Sequence, residues 1–434
     1  MSIDSVVAKR SLLVPALLGL VLRLLWVWFA QAEPEAFADP WRYIASARQI
    51  AEGAGYRDGV SGALTAYYPP GYPFFLGFIG MLLRSVGALD HLAAVALTLQ
   101  AVLGAGVVFV WSLLACRLWS RRVGELAAFG LALYPNLLLH TGVLLSETLF
   151  LFVSGLALLA LLAPRKWPDG LTTSRLLAHG ILLGVAILIR PQSSLYLLPV
   201  VALWWLGLGL RQTVWCCAVT LAAAIAVVAP WTIRNALVFD AFVPVSTNNG
   251  DNLCIGHHPE AQGGFSITAN CDTGFSIFDG ESAELARDRE AGARARSFAF
   301  AQLNRQPWLV VQRLRITLSS DHDAVSVAEE FGERPWLPPS VRWLLTVASD
   351  GAWFCLLLMF TLCVRSVVGT SAQLALVAGG LMTLLPVMLV FGDARFKMPL
   401  IPILILVTAA GVDRFVSNQS SRRAQASPRA TRAA

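Results

Sequence analysis

Two acidic side chains stand at the starts of predicted helices, where they could carry out acid–base chemistry. Asp39 precedes Pro40 at the start of a short helical pattern over residues 40–52, and Glu147 opens a long apolar run. A carboxylate at either position could take a proton from a hydroxyl or an amine. Each also has a structural interpretation. Asp39 could cap its helix, and Glu147 could be favoured by the dipole of the helix that it begins.

Basic residues at the borders of apolar runs could bind an anion. Arg190 lies between two apolar runs, and Arg234 follows a third. Arg395 and Lys397 stand in GDARFKMP, just before the last run. The topology given below places all of them at the outer membrane face, where positive charge is not enriched. They are therefore predicted to bind an anionic group, and arginine suits phosphate because its guanidinium donates in a fork. The alternative is that each side chain reaches lipid head groups on its own.

Tyrosines near Asp39 could line a shared cavity. Tyr43 follows Asp39 by four residues, and Tyr68 belongs to YYPPGYP at 67–73, whose prolines and glycine predict a rigid turn. We predict that Tyr43 and Tyr68 line the cavity into which Asp39 opens. The alternative is an aromatic belt at the membrane interface.

The cysteines divide by location, and two of them could form a disulfide. Cys254 and Cys271 lie in the predicted outer loop, and the other five lie in or beside apolar runs. An oxidising compartment would permit a bridge between Cys254 and Cys271. Two free thiols are the alternative, because the sequence does not give their geometry.

Histidine and aspartate residues form no recognisable metal-ligand pattern. His257-His258 and Asp321-His322-Asp323 lack the spacing of a known ligand set, and they lie far apart in the chain. We therefore predict no metal site.

The composition is that of a membrane protein. Of the 434 residues, 56% are hydrophobic and 14% are charged, and the mean hydropathy is +0.63. A soluble domain carries about 25% charged residues. The net charge of +6 comes from clusters between apolar runs, which indicates membrane topology rather than nucleic-acid binding. We predict an all-α polytopic fold with about ten transmembrane helices. The runs cover residues 11–31, 92–114, 124–141, 146–163, 175–189, 192–208, 213–231, 344–364, 371–391 and 398–413.

Basic clusters orient these helices. The connections predicted to be cytoplasmic are all basic, as the positive-inside rule requires. This leaves 32–91 and 232–343 as two outer segments, and 73–83, too short to span, as a juxtamembrane or re-entrant helix on the outer face. The first run is longer than the apolar part of a signal peptide, so we expect a span that starts in the cytoplasm. Residues 1–414 are predicted to form one transmembrane domain, and residues 415–434 a disordered basic cytoplasmic tail.

Two further features leave alternatives open. Arg23 lies inside the first predicted span, where it could pair with an acid of the outer segments or extend to the head groups. Residues 244–264 are rich in Asn, Gly and Ser, and they could bind a polar ligand such as a sugar or fold over the membrane face. Helices are predicted at 281–303 and, with an amphipathic pattern, at 307–319.

Several motifs together resemble a known family. In order they are D-x-x-x-Y (39–43), PPGYP (69–73), RLWSRR (117–122), ALYP (132–135), LLSETLF (144–150), IRP (189–191), PWTIRN (230–235), STNNGDNLCIG (246–256) and RFKMPLIP (395–402). In this order the chain resembles bacterial glycosyltransferases of the membrane-embedded C superfamily, in particular those related to dolichyl-phosphate-mannose protein mannosyltransferases, glycosyltransferase family 39. The resemblance covers residues 11 to 414.

The resemblance implies an activity. A sugar would be moved from a polyprenyl-phosphate donor to a glycolipid, polysaccharide or protein acceptor, at the outer face of a bacterial cytoplasmic (inner) membrane. Asp39 would match the catalytic base and Glu147 the second acid of the family. Related aminoarabinose transferases have a lysine where this chain has Tyr68 or Pro69, so their substrates are not carried over.

The basic residues would hold the lipid phosphate. Arg190, Arg234, Arg395 and Lys397 correspond to this role in the resemblance, and fixed cations can stabilise a leaving phosphate as its charge develops. No cofactor or metal is implied. The alternatives are a transporter or flippase of a lipid-linked sugar, which predicts buried charges through the spans, and a scaffold subunit.

Overall fold

The structure, a computed structural model, describes residues 3–30, 38–164, 166–266, 268–330 and 336–426. Across these ranges the chain is helical and has no β-strand, apart from two isolated bridges. The predicted all-α class is therefore confirmed. The α-helices in chain order are α1 (Ile3–Phe29), α2 (Asp39–Ala51), α3 (Gly71–Ser85), α4 (Leu92–Leu118), α5 (Arg121–Leu133), α6 (Pro135–Leu139), α7 (Glu147–Leu162), α8 (Thr173–Ile189), α9 (Leu197–Leu208), α10 (Leu210–Phe239), α11 (Asn249–Gly256), α12 (Glu281–Ala301), α13 (Gln306–Leu318), α14 (Asp323–Glu330), α15 (Pro339–Val367), α16 (Ser371–Met382), α17 (Leu384–Leu389) and α18 (Ile401–Ala426).

Several helices have the length and composition of membrane spans. Two shorter apolar helices are α7 and α8. This pattern is that of a multi-pass membrane protein. The predicted count of about ten spans is not confirmed, because α5 has 13 residues and α9 has 12, where a span needs about 20. In the described part of the chain, the six helices that are long and apolar enough to cross are Arg10–Phe29, Leu89–Leu118, Leu210–Phe239, Pro339–Val367, Ser371–Leu389 and Ile401–Ser420.

The break between α5 and α6 explains the buried charge of the first span. α5 ends because Tyr134 precedes Pro135, and a residue before proline disfavours the helical conformation. The carbonyl of Leu131 would accept from residue 135, which has no N–H. Arg23, 1% exposed, donates to the carbonyls of Leu131 and Ala132, each at 3.3 Å. Arg23 thus satisfies a broken helix end, rather than pairing with an acid or reaching the head groups.

The segment 32–91, here called the first polar segment, contains a closely packed helical pair. α3 has 15 residues, which agrees with the prediction that 73–83 forms a helix too short to span. A Cβ at Gly77 of α3 would lie 2.6 Å from the side chain of Ile50 on α2, so the glycine allows this close packing. Residues 31–37, which precede α2, lie outside the described residues.

The segment 232–343, here called the second polar segment, is partly helical and cross-linked. α12 and α13 confirm the helices predicted at 281–303 and 307–319. Cys254 and Cys271 form a disulfide, with Cα atoms 5.8 Å apart. Of the two alternatives left open by the sequence, the structure therefore has the bridge.

A buried carboxylate joins the two polar segments. Glu284 of α12, 2% exposed, accepts hydrogen bonds from the hydroxyls of Thr65 and Thr247 and from the N–H of Ala66. Burial raises the pKa of Glu284, and these hydrogen bonds oppose that rise. The contact fixes the chain just before the predicted turn at 67–73.

The end of the chain differs from the prediction. α18 continues to Ala426, so residues 415–426 are helical rather than disordered. No proline or glycine follows Gly411 before Pro428, so nothing in this stretch stops a helix already formed by its apolar part. The rest of the predicted tail, 427–434, lies outside the described residues.

Candidate active site

Asp39 is held by partners other than its own helix. The N-cap of α2 is Ala38 and makes no side-chain hydrogen bond, so Asp39 does not cap its helix, which was the structural alternative. One carboxylate oxygen of Asp39 accepts from the Tyr68 hydroxyl at 2.7 Å, and the other lies 3.8 Å from Arg395 Nη1. The Asp39 side chain is 33% exposed, so a substrate can reach it.

Tyr68 acts as a fixed donor to this carboxylate. Burial, followed by the charge of Asp39, raises the pKa of Tyr68 well above its ordinary value. The hydroxyl therefore remains protonated and donates to Asp39. The result is a carboxylate that is oriented from one side and open on another.

Glu147 and Arg190 form a second charged pair at the same end of the helical bundle. Glu147 begins α7 and is 2% exposed, and its Oε1 lies 2.5 Å from Arg190 Nη2. Arg190 follows the last residue of α8, because its position before Pro191 favours an extended backbone (φ −145°, ψ 103°). Arg190 Nε also donates to the Ser146 hydroxyl at 3.1 Å.

Tyr43 lies between the two pairs. Its ring centroid is 5.1 Å from that of Tyr68. Burial raises the pKa of Tyr43, and the charges of Asp39 and Glu147 add to the rise. The charges of Arg190 and Arg395 oppose it. These charged groups therefore act on one side chain, and the lining of a cavity by Tyr43 and Tyr68 stays a prediction.

Arg395 connects the cluster to the last helix. It lies on a 3-10 turn, Ala394–Lys397, just before α18. Burial lowers the pKa of Arg395, but Asp393, Glu147 and Asp39 outweigh that effect and raise it. Arg395 is thus a permanent cation beside both acids of the cluster.

Lys397 is held by partners outside this cluster, although the sequence predicted that it binds the same anion. Its ammonium group is fully buried, 3.0 Å from an Asp321 oxygen and 5.0 Å from the centroid of the Trp353 ring. It also donates to the carbonyls of Ser320 (2.5 Å) and Ala394 (3.0 Å). These contacts anchor the turn that carries Arg395.

Arg234 is also occupied by backbone groups. Its Nη1 donates to the carbonyl of Thr65 at 2.8 Å, and its Nη2 donates to that of Tyr56 at 3.1 Å. The guanidinium lies 4.7 Å from the centroid of the Trp231 ring. The structure therefore brings Arg190 and Arg395 to the acids, and it places Arg234 against the first polar segment.

A buried polar network beside Arg395 was not found from the sequence. Asn136 donates to Asp321 at 2.9 Å and to Asp323 at 2.8 Å, and the Tyr134 hydroxyl donates to Asp321 at 2.7 Å. His140 Nε2 lies 2.7 Å from Asp323. Burial acts to raise the pKa of Asp323, but His140 outweighs it and holds the pKa below its ordinary value. The available signals were the i, i+4 spacing of Asn136 and His140 and the paired aspartates, which we considered only as metal ligands.

The histidines and acidic residues form no metal-ligand group in the described part of the chain. Within the ranges that the structure describes, no group of three or more His, Cys, Asp or Glu residues could hold a metal ion. His257 instead contacts Arg313, with 3.2 Å between His257 Nε2 and Arg313 Nη2.

Comparisons with known proteins establish the fold. No protein-family model and no curated protein sequence matches the chain. The apo crystal structure of the oligosaccharyltransferase from Archaeoglobus fulgidus matches with a TM-score of 0.58 and 14% identity, over 96% of this chain and 51% of that one. The same organism's oligosaccharyltransferase AglB, in complex with an inhibitory peptide and a dolichol-phosphate, matches with a TM-score of 0.57 and 14% identity, over 100% and 53%.

A looser match is ArnT from Cupriavidus metallidurans bound to undecaprenyl phosphate, with a TM-score of 0.41 and 13% identity, over 96% and 81% of the two chains. The chain spans about half the length of the archaeal enzymes that it matches. It shares its fold with the archaeal oligosaccharyltransferases, which agrees with the fold that the sequence resemblance implied.

Proposed function

We propose that this protein transfers a sugar from a polyprenyl-phosphate donor to an acceptor at the outer face of a bacterial cytoplasmic membrane. The observation that carries the proposal is the partly exposed Asp39 carboxylate, oriented by Tyr68 and 3.8 Å from the cation Arg395. A second cation, Arg190, is paired with the acid Glu147. The fold supports it, because the structure of a neighbour, the archaeal AglB, is a complex with a dolichol-phosphate and an inhibitory peptide.

The reaction follows from these positions. Asp39 takes the proton of the acceptor hydroxyl as its oxygen attacks the anomeric carbon of the sugar. The bond between that carbon and the phosphate oxygen breaks, and its electron pair leaves with the polyprenyl phosphate. Arg190 and Arg395 offer fixed positive charge to the phosphate as its negative charge grows. Direct displacement would invert the anomeric centre.

We assign Glu147 a positioning role. Its carboxylate is 2% exposed and lies 2.5 Å from Arg190, so it orients that guanidinium and has little access to an acceptor. Lys397 and Arg234 are likewise assigned to holding the site together, because their donors are occupied by Asp321 and by backbone carbonyls.

The decisive experiment is transfer by the purified protein from synthetic polyprenyl-phosphate sugars, with Asp39→Asn as the variant. Glu52→Gln is a matched control, because Glu52 is an exposed acid at the other end of the same helix. Loss of a general base is expected to lower the rate by about 10²–10⁴-fold. A folded Asp39→Asn protein with an undiminished rate would disprove the assignment.

The transporter alternative has less support from the buried charges. Within the six long helices, all of which the structure describes, Arg23 is the only buried charged side chain, and it donates to backbone carbonyls. In liposomes, a flippase would move the lipid-linked sugar between leaflets without any acceptor. We expect no such movement and acceptor-dependent release of polyprenyl phosphate instead.

The outward orientation is tested by labelling. Ser61 and Ser174 are both exposed, in the first polar segment and at the start of α8 respectively. In a background without the free cysteines, we expect Ser61→Cys to react with an impermeant thiol reagent in intact cells and Ser174→Cys to react only after permeabilisation. Labelling in the reverse order would contradict the orientation.

A further inference from the structure

A cavity of about 520 Å³ opens beside the charged cluster, in the polar part of the protein. One side is formed by Arg42 of α2 and by Tyr67. The other side is the chain 272–279, which contributes Phe278, together with Arg287 of α12. The volume is within the range of small-molecule binding sites.

The cavity adjoins the proposed base. Arg42 follows Asp39 by three residues on α2, so the two side chains lie on neighbouring positions of one helix face. The ring of Tyr67 is 5.0 Å from the ring of Tyr68, whose hydroxyl donates to Asp39. Two lining residues, Arg42 and Tyr67, thus connect the cavity to the surroundings of Asp39.

The walls of the cavity are fixed before any ligand enters. The Tyr67 hydroxyl donates to Asp251 at 2.9 Å, and Arg287 Nε lies 2.9 and 3.0 Å from the two oxygens of the same carboxylate. Arg287 Nη1 donates to the carbonyl of Phe275 at 3.1 Å. The disulfide at Cys271 holds the start of the 272–279 wall. Such preorganisation reduces the entropic cost of binding.

The lining combines aromatic faces with planar hydrogen-bonding groups. Tyr67, Phe275 and Phe278 offer rings, and the guanidinium of Arg42 lies 4.9 Å from the centroid of the Phe278 ring. Asp272 and Asp279 also contribute carboxylates to the lining. Rings suit the apolar C–H face of a sugar, and guanidinium and carboxylate groups suit its hydroxyls, which both donate and accept.

We propose that this cavity binds the saccharide that carries the accepting hydroxyl group. The acceptor role rests on the proposed transferase function, whereas the saccharide class rests on the lining. Two arginines and two aspartates face the cavity, so a neutral polyhydroxyl ligand meets no net repulsion. An isolated phosphate would be repelled by the two carboxylates, and Arg287 is already paired with Asp251.

Binding is tested with the full-length protein in nanodiscs, without donor. The probes are neutral trisaccharides of glucose, mannose and N-acetylglucosamine. A serine-rich decapeptide and inorganic phosphate are tested separately as ligands of other classes. We expect at least one trisaccharide to bind by saturation-transfer NMR. Phe278→Ala should weaken it about tenfold, and Phe242→Ala, an exposed phenylalanine outside the cavity, should leave it unchanged.

A second variant protects the test against misfolding. Asp279 is exposed, so Asp279→Asn should fold normally and weaken trisaccharide binding about fivefold. No trisaccharide binding, equal binding by Phe278→Ala and Phe242→Ala, or Phe278-dependent binding of the peptide or phosphate would overturn the proposal. Because donor is absent, these results are independent of transfer. Saccharide binding without transfer would instead count against the proposed function.

Discussion

The variant Lys397→Met distinguishes two roles of this residue. Its contacts indicate that Lys397 stabilises the turn that carries Arg395, whereas the sequence predicted that it binds the donor phosphate. The Lys397 ammonium is fully buried, 3.0 Å from Asp321, and it also bonds two backbone carbonyls. It shares a 3-10 turn with Arg395, which lies 3.8 Å from Asp39. Losing the anchor should therefore destabilise the fold and displace Arg395, whereas loss of a phosphate ligand alone would leave stability unchanged.

The size of the expected destabilisation follows from the burial of the Lys397–Asp321 ion pair. Removing one partner of a buried ion pair costs about 3–5 kcal/mol, because the other charge stays buried and unpaired. Burial raises the pKa of Asp321 to about 6, against the opposing effect of Lys397. Without Lys397 the pKa rises further, so folded Asp321 keeps a proton that the unfolded chain has lost. The folded variant then binds more protons than the unfolded one, and its stability falls as pH rises.

Unfolding in detergent at pH 6 and pH 8 measures both effects. Relative to the wild type, the unfolding free energy of Lys397→Met should fall by about 1.4 kcal/mol per pH unit between these values. The loss is limited by the total cost of breaking the buried ion pair. The double variant Lys397→Met/Asp321→Asn removes both charges and should recover most of the loss at pH 8. Lys166→Met, at an exposed lysine, is the control and should have no effect. A Lys397→Met protein that is as stable as the wild type at pH 8 would refute the reasoning.

Three further predictions concern contacts around the site. Arg190→Gln should abolish transfer and destabilise the protein, because it leaves the buried Glu147 unpaired. The double variant Arg190→Gln/Glu147→Gln should recover thermal stability but not transfer, because the proposed phosphate ligand is still missing. Gly77→Ala should cost about 1–3 kcal/mol in unfolding free energy, because its Cβ would lie 2.6 Å from the Ile50 side chain, and a fully stable variant would show that α2 and α3 can separate freely. Glu284→Gln should lower stability by about 1–3 kcal/mol and expose the first polar segment to limited proteolysis, because an amide cannot accept from all three of its donors; unchanged cleavage would contradict this role.

Much of the architecture was accessible from the sequence because hydrophobic length is a strong signal. Each predicted apolar run corresponds to helix in the structure, and the helices at 40–52, 73–83, 281–303 and 307–319 were also predicted. The count of spans was less accessible, because Pro135 divides one run. A proline inside an apolar run can either bend a helix or end it, and tertiary contacts decide between these outcomes.

The candidate site was only partly accessible. Asp39 stood out because it precedes Pro40 at a predicted helix start and matches the motif D-x-x-x-Y, yet its pairing with Tyr68 depends on how the turn at 67–73 folds back. The four basic residues looked alike in the sequence. The structure separates Arg190 from Lys397 by their partners, Glu147 and Asp321, which are distant in the chain. Sequence position alone carries no information on such pairings.

The contact between Arg23 and the end of α5 has a consequence for how the chain enters a bilayer. An arginine at the centre of a lone transmembrane helix raises the free energy of insertion by about 2.5–3.5 kcal/mol. The carbonyls that Arg23 uses, Leu131 and Ala132, are synthesised more than a hundred residues later. The first helix would therefore be unstable in lipid, and would stay in contact with the insertion machinery or with water, until α5 has been synthesised. The order of synthesis would thus make α1 and α5 insert as a pair.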